Sequence, residues 1–282
     1  MRNSFILLLI LFFTSLSSLA QDANFHIYLC FGQSNMEGSA PVEEQDKVAD
    51  PRFQVMRAMD CPDIKGKKES WQTANPPLSQ CWQGLSPADY FGRTMVENLP
   101  EHIKIGVINV AIGGCDIRLF DRAQYQQFTD TYPEAWFGEK IEVFGGNPYE
   151  RLIQLAKMAQ KDGLIKGVLL HQGETNTGDV QWPQYVKTVY DNMLEDLALK
   201  ASEVPLLAGE VVHADQNGQC AAMNPIINQL PETIPTAHVI SSSGCTVQED
   251  LVHFDSEGVR TLGKRYARKM LGILKEQGFK GL

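Results

Sequence analysis

Residues 25–38, Phe-His-Ile-Tyr-Leu-Cys-Phe-Gly-Gln-Ser-Asn-Met-Glu-Gly, constrain this chain more than any other stretch. The first half, Phe25 to Phe31, is aromatic, β-branched and apolar, the pattern of a buried strand. It stops at Gly32 and gives way to small polar residues. A buried strand that ends at a glycine delivers its next side chains to the edge of the sheet. In open α/β sheets, ligands bind just outside the carboxyl ends of the strands. Ser34 is therefore the first candidate for a nucleophile. Taken alone, Gly-Gln-Ser-Asn reads more readily as a β-turn whose Ser and Asn satisfy backbone groups. The rest of the chain has to decide.

Four further runs have the same strand-like character: Lys104 to Ile112, Lys166 to His171, Pro205 to Val212 and Ala237 to Ser243. Between them lie segments of helical spacing. Ser86-Pro87 starts one that reaches Asn98, with Pro at the first helical position. Pro148 to Asp162, Gln181 to Leu199, a short Pro225 to Leu230 and a closing Phe254 to Gln277 complete the set. Buried strands alternating with helices imply a parallel sheet covered on both faces. The fold expected is a three-layer α/β/α sandwich with a five-stranded parallel sheet, forming one domain over residues 21–282. Residues 39–83 read as a long loop with a short hairpin around Phe53 to Met59. Residues 115–146 read as irregular and rich in aromatic side chains.

Met1 to Ala20 has a positive start at Arg2, an apolar run from Phe5 to Phe13, and small residues at Ser18-Leu19-Ala20. This is the pattern of a secretory signal peptide cleaved after Ala20, and the run is too short for a spanning helix. No cysteine follows the cleavage point, so no lipid anchor is expected there, and no later stretch is apolar enough to span a bilayer. The expected location is secreted or periplasmic. The formal charge is −9, and no basic stripe stands out. Nucleic acid is therefore an improbable partner and a neutral substrate fits better than a polyanion. Six cysteines in an exported chain allow disulfides. Cys61 with Cys81 and Cys220 with Cys245 would each clip a loop-rich segment, while Cys30 and Cys115 read as buried thiols at strand ends.

Parallel strands bring their carboxyl ends to one edge, so four polar clusters converge there. They are Gly32-Gln33-Ser34-Asn35, Gly113-Gly114, His171-Gln172-Gly173-Glu174, and Glu249-Asp250-Leu251-Val252-His253 beyond the fifth strand. A serine needs a base within hydrogen-bond reach, and the base needs an orienting group. His253 and Asp250, three residues apart, can supply both. Glu249 and Asp255 also flank the histidine and are not excluded by spacing, and taken alone Asp250 reads as a helix cap. Acyl transfer also needs donors for the developing oxyanion. The candidates are the backbone N–H groups of Ser34 and Gly114 and the side-chain amide of Gln172. Asn35 and Glu174 are candidates for supporting hydrogen bonds. His171 with Glu174, and His213 with Asp215, lack a recognised metal-ligand spacing, so neither metal nor cofactor is expected. His26 and His102 read as structural.

Together these blocks resemble the SGNH (GDSL-like) hydrolase superfamily. More narrowly they resemble the branch that groups sialate O-acetylesterase-like proteins with acetylxylan esterases of carbohydrate esterase family six. The residues that carry the resemblance are Gly32 to Gly38, Ala111 to Gly114, His171 to Glu174 and Asp250 to His253, in the family's order across nearly the whole mature chain. The resemblance implies a flavodoxin-like fold and metal-free ester hydrolysis, with Ser34 as nucleophile, His253 as base and Asp250 as its partner. It departs from the wider superfamily in having Gln33 before Ser34 and Gln172 in place of an Asn; both belong to the narrower branch. The expected substrate is an acetylated carbohydrate, with acetylated xylan slightly favoured by the acidic chain over O-acetylated sialic acid. A carbohydrate-binding protein that has lost catalysis and a lipase-like esterase are the competing classes. Trp71 and Trp82 in the long loop suit either stacking on a sugar ring or packing under the loop.

Overall fold

The structure, a computed structural model, describes residues 21–131 and 135–281. The expected leader, residues 1–20, lies outside them. Seven strands form one sheet: β1 (Asp22–Gly32), β2 (Phe53–Met56), β3 (Trp71–Thr73), β4 (Lys104–Ala111), β5 (Gly163–His171), β6 (Leu206–Gly209) and β7 (Ala237–Ile240). Their spatial order is β3-β2-β4-β1-β5-β6-β7. Every neighbouring pair is parallel except β2 with β3.

The five expected strands are all present, and in space they run second, first, third, fourth, fifth. This is the flavodoxin-like order, with its topological switch between β1 and β5. The sheet nevertheless has seven strands rather than five. The two extra ones lie in the segment read as loop. At four and three residues, they are too short to show a period of two, and pairing with β4 supplies what local propensity does not. The hairpin partner of β2 is also more distant than expected: Gln54 pairs with Thr73 and Met56 with Trp71.

The helices are α1 (Ser34–Glu37), α2 (Pro87–Asn98), α3 (Tyr125–Thr131), α4 (Ala135–Glu142), α5 (Pro148–Ala159), α6 (Trp182–Asp196), α7 (Asn224–Ile227), α8 (Leu230–Thr233) and α9 (Ser256–Glu276). Alternation along β1 separates the two cores. Ile27, Leu29 and Phe31 join α5 and α6 side chains such as Leu152, Leu155, Val186 and Val189. Tyr28 and Cys30 face the other way, onto Phe91 and Met95 of α2 and Leu262, Tyr266 and Met270 of α9. The sheet is thus covered on both sides. The described residues of 115–146 are not irregular: besides α3 and α4 they hold a 3-10 turn, Ile117–Phe120. Helices of seven or eight residues span about two turns, too few for a helical period to stand out. Phe120, Phe137, Ile141 and Phe144 fill the core on the Phe31 side.

The Cys61–Cys81 disulfide forms and closes the loop between β2 and the start of α2. The Cys220–Cys245 pairing does not form: both thiols are free. Cys220 lies against the Glu174 carbonyl, whereas Cys245 is buried and receives a hydrogen bond from Arg265. Cys30, near the end of β1, and Cys115, in the turn that follows β4, are fully buried thiols. Among the described residues, no helix is long and apolar enough to cross a membrane.

Helix α2 begins as its sequence dictates, with Ser86 as cap and Pro87 in the first turn. Asp89 closes the capping box: its Oδ2 accepts from Ser86 N at 3.1 Å and from Ser86 Oγ at 3.3 Å. The carboxyl is fully buried, and burial pushes its pKa from 3.8 up to about 7 against the pull of those hydrogen bonds. The folded state therefore binds a proton that the unfolded chain releases. The associated stability is fully present below pH 3.8 and is lost as pH rises through about 7. Asp89→Asn keeps the acceptor and removes the charge. Its stability gap to the wild type should widen between pH 4 and pH 8, by on the order of 4 kcal/mol at most. Denaturant melts across that range that show a gap independent of pH would contradict this.

Candidate active site

Register fixes the stage. Gly32 pairs with Ala111 on one side and with His171 on the other. The residues that follow β1, β4 and β5 therefore emerge at one level. Gly32 has φ +141°, and a Cβ there would lie 2.0 Å from the His171 carbonyl oxygen. Only glycine fits. The next amide, Gln33 N, donates to that same carbonyl at 2.9 Å. The chain then turns into α1, a single helical turn closed by Gly38. Ser34 is its first residue, so its N–H is one of the donors that a helix leaves without an intrahelical partner.

Ser34, His253 and Asp250 meet. His253 Nε2 lies 2.8 Å from Ser34 Oγ, and His253 Nδ1 lies 2.6 Å from Asp250 Oδ2. The other Asp250 oxygen accepts from the backbone amides of Val252 and His253, both at 2.9 Å. This tight turn carries Leu251 in the left-handed region, at φ 55°. Burial alone would raise the Asp250 carboxyl, but the hydrogen bonds from the His253 ring and the two amides outweigh it and hold the pKa below the usual carboxylate range. Asp255 has a different task. It caps α9, accepting from Gly258 N at 2.8 Å and from Thr246 Oγ1 at 2.6 Å. The helix cap read at Asp250 in the sequence is thus Asp255, and Asp250 faces the imidazole.

Asn35 holds the histidine segment in place. Its Nδ2 donates to the Val252 carbonyl at 3.1 Å, and its Oδ1 accepts from Phe254 N at 3.1 Å. The two bonds straddle His253. Asn35 Nδ2 also donates to Glu174 Oε1 at 2.6 Å. Glu174 is buried with His171 Nε2 at 3.7 Å. Burial raises its pKa, but His171 and Asn35 outweigh that and leave it lowered. Asn35 thus links Glu174 to the segment that carries His253.

Gln172 is placed differently from its expected part as an oxyanion donor. Its side chain is fully buried. Its Nε2 lies within hydrogen-bond reach of Asn176 Oδ1 at 2.7 Å and of Gln33 Oε1 and the Cys115 carbonyl at 3.1 Å each. Its carbonyl accepts from Trp182 Nε1. An amide with two hydrogens so engaged has none to aim at a reacting oxygen. Gln172 instead ties the ends of β1, β4 and β5 to α6. Gly114, with φ +79°, follows Gly113, at which a Cβ would lie 3.5 Å from Ser34 Cβ.

Two residues of the site went unread in sequence. Glu37 is buried at 2% exposure, and Lys140 of α4 reaches both of its carboxylate oxygens, at 3.0 and 2.8 Å. Burial pushes the Glu37 pKa up, with Lys140 opposing. A Cβ on Gly113 would lie 2.7 Å from Glu37 Oε2, 2.8 Å from Lys140 Nζ and 3.5 Å from Ser34 Cβ, so the ion pair flanks the serine. Glu37 stood within the first block, but nothing in the 115–146 pattern marked Lys140 as its partner. Trp71 packs edge-on against Phe25, with its Nε1 on Asp162 at 2.9 Å, towards the amino ends of the strands. It is a packing residue. Trp82 is exposed beside the disulfide.

Chemically, this geometry lets an imidazole held by a carboxylate withdraw a proton from a hydroxyl, which is the requirement of acyl transfer. The clamp is directly testable. Asn35→Ala should speed hydrogen exchange of the buried Phe254 amide at least roughly tenfold, the loss of one buried hydrogen bond. An unchanged rate would mean that other contacts hold the histidine segment.

Several solved structures share this fold. A protein of Arabidopsis thaliana aligns with a TM-score of 0.67 at 19% identity, over 88% of this chain and 98% of that one. NanS aligns with a TM-score of 0.64 at 15% identity, over 91% and 99%. A carbohydrate acetylesterase from Xanthomonas citri aligns at 0.63 and 17% identity, over 89% of this chain and 56% of its own length. At these identities the likeness is one of fold. The family follows from sequence: residues 24–272 match the family model described as carbohydrate esterase, sialic acid-specific acetylesterase. The chain belongs to that family of carbohydrate esterases and is a carboxylic ester hydrolase.

Proposed function

We propose that this chain is an exported serine esterase, one domain behind a cleaved leader, that removes O-acetyl groups from acetylated xylan or a related plant polysaccharide. The observation that carries the mechanism is the continuous path Asp250–His253–Ser34, with contacts of 2.6 and 2.8 Å. Ser34 Oγ attacks the acetyl carbonyl carbon while His253 Nε2 takes the hydroxyl proton. The negative charge that develops on the carbonyl oxygen is received by the Ser34 N–H and the Gly114 backbone. Each such donor is worth ~10²–10³ in rate. The tetrahedral intermediate collapses, and His253 gives its proton to the departing sugar oxygen. Water, deprotonated by the same imidazole, then attacks the acetyl-serine; acetate leaves and Ser34 recovers its proton. Asp250 stays ionised throughout, which suits its lowered pKa.

Two observations favour a neutral sugar. The chain is acidic, with a formal charge of −9. The cation beside Ser34, Lys140, is already neutralised by Glu37, so a carboxylate-bearing sugar gains little there. Ser34→Ala should lower turnover of an aryl acetate by at least about 10³-fold with an unchanged thermal midpoint. Undiminished turnover in that variant would remove Ser34 from the chemistry. Acetate release measured side by side on acetylated xylan and on O-acetylated sialic acid tests the substrate, and a preference for the sialic acid would reverse that part of the reading.

A further inference from the structure

Helix α4 crosses the front of the site. Its Lys140 is anchored on the buried Glu37 carboxylate, and its Phe137 is sunk in the core at 0% exposure. Between these anchors and the site stands Trp136. Its ring meets Phe137 edge-to-face at 5.7 Å and lies 5.8 Å from Lys140 Nζ. The indole is nevertheless 50% exposed. A large exposed aromatic is ordinary by itself. Its position is what matters here. Among the described residues, a Cβ built on Gly114 would lie 3.4 Å from the Cη2 of Trp136. The neighbouring Gly113 abuts Ser34 Cβ. Ser34, Gly113, Gly114 and the indole thus follow one another along one edge of the site.

We propose that Trp136 is the platform on which the sugar ring stacks while its acetyl group sits at Ser34, making it a specificity residue for a neutral pyranose. The proposal rests on the esterase reading above and extends it to the leaving group. A pyranose presents an apolar face of C–H bonds and a rim of hydroxyls. An indole offers a flat apolar surface that loses little conformational entropy on binding. Here that surface is fixed in advance by two anchors, so ordering it costs little. The groups around it are polar: Thr175, whose Oγ1 is held on the Gly114 carbonyl at 3.0 Å, and Lys140. These suit hydroxyls and suit a long acyl chain badly.

The test compares an ester that has a ring with one that does not. Kinetics of wild type, Trp136→Ala and Trp136→Phe would be measured on an acetylated methyl xylopyranoside and on ethyl acetate. Trp136→Ala should raise KM for the sugar ester roughly 5–10-fold, with kcat within about twofold, and leave ethyl acetate unaffected. Trp136→Phe should recover most of the loss. An unchanged KM for the sugar ester, or an equal loss on both esters, overturns the proposal. A parallel titration of the intact protein with deacetylated xylo-oligosaccharide follows indole fluorescence. Quenching that disappears in Trp136→Phe supports stacking, and quenching that persists opposes it. If the wild type hydrolyses ethyl acetate but no sugar acetate, the substrate reading fails by itself, and the titration still decides the fate of Trp136.

Discussion

Between the last residues of β1 and β5 there is no room for a side chain, and the site depends on that closeness. The space a Cβ would need at Gly32 is taken by the His171 carbonyl. The same carbonyl then accepts the Gln33 amide, so the backbone leaves the sheet along one path and enters α1 in one orientation. The Gln33 side chain extends the join, its carbonyl facing Gln172 Nε2 and the Gly173 and Thr175 amides. Ser34 inherits its position from the sheet and not from a loop, and an edge between two parallel strands at a switch point is the stiffest support this fold offers.

Around that edge the protein places buried charge sparingly and gives each group a partner. Glu37 ends α1, and Glu174 touches it through Asn35. Glu174 is kept ionised against burial by His171 and Asn35, whereas Glu37 is raised by burial despite Lys140. One orients the segment that carries the imidazole, and the other moors α4. A polar chain continues through Gln172, Asn176, Asp116 and Arg118. Networks of this kind specify one arrangement because leaving a member unpaired is costly in a low dielectric. They explain why polar side chains crowd the buried end of a sheet whose other positions are apolar.

Much of this was legible in the sequence, for identifiable reasons. The five main strands lie within apolar runs that give way to glycine or polar clusters, so their carboxyl ends declare themselves even where, as in β6 and β7, the strand itself is four residues long. The Asp250–His253 spacing announces a tight turn. What escaped were features set by tertiary contact. β2 and β3 are too short to carry a pattern, and β2 exists because β4 pairs with it. Helices α3 and α4 are too brief to show a period, which hid Lys140 and Trp136 within an aromatic-rich stretch. Gln172 was assigned from the chemistry of its amide, and no sequence could show that Gln33, Cys115, Asn176 and Trp182 had already claimed it. Cys220 and Cys245 follow the same logic: an even count permits a bridge, but only the fold says which thiols face one another.

The serine and the imidazole stand 219 positions apart along the chain, with every strand after β1 between them. Contacts of such long range form late, since the entropy of closing the intervening loop must first be met. During synthesis the hydroxyl emerges 219 residues before its base. An intermediate on the ribosome therefore carries an ordinary alcohol, and chemical competence arrives only when the segment bearing the imidazole docks beside α1.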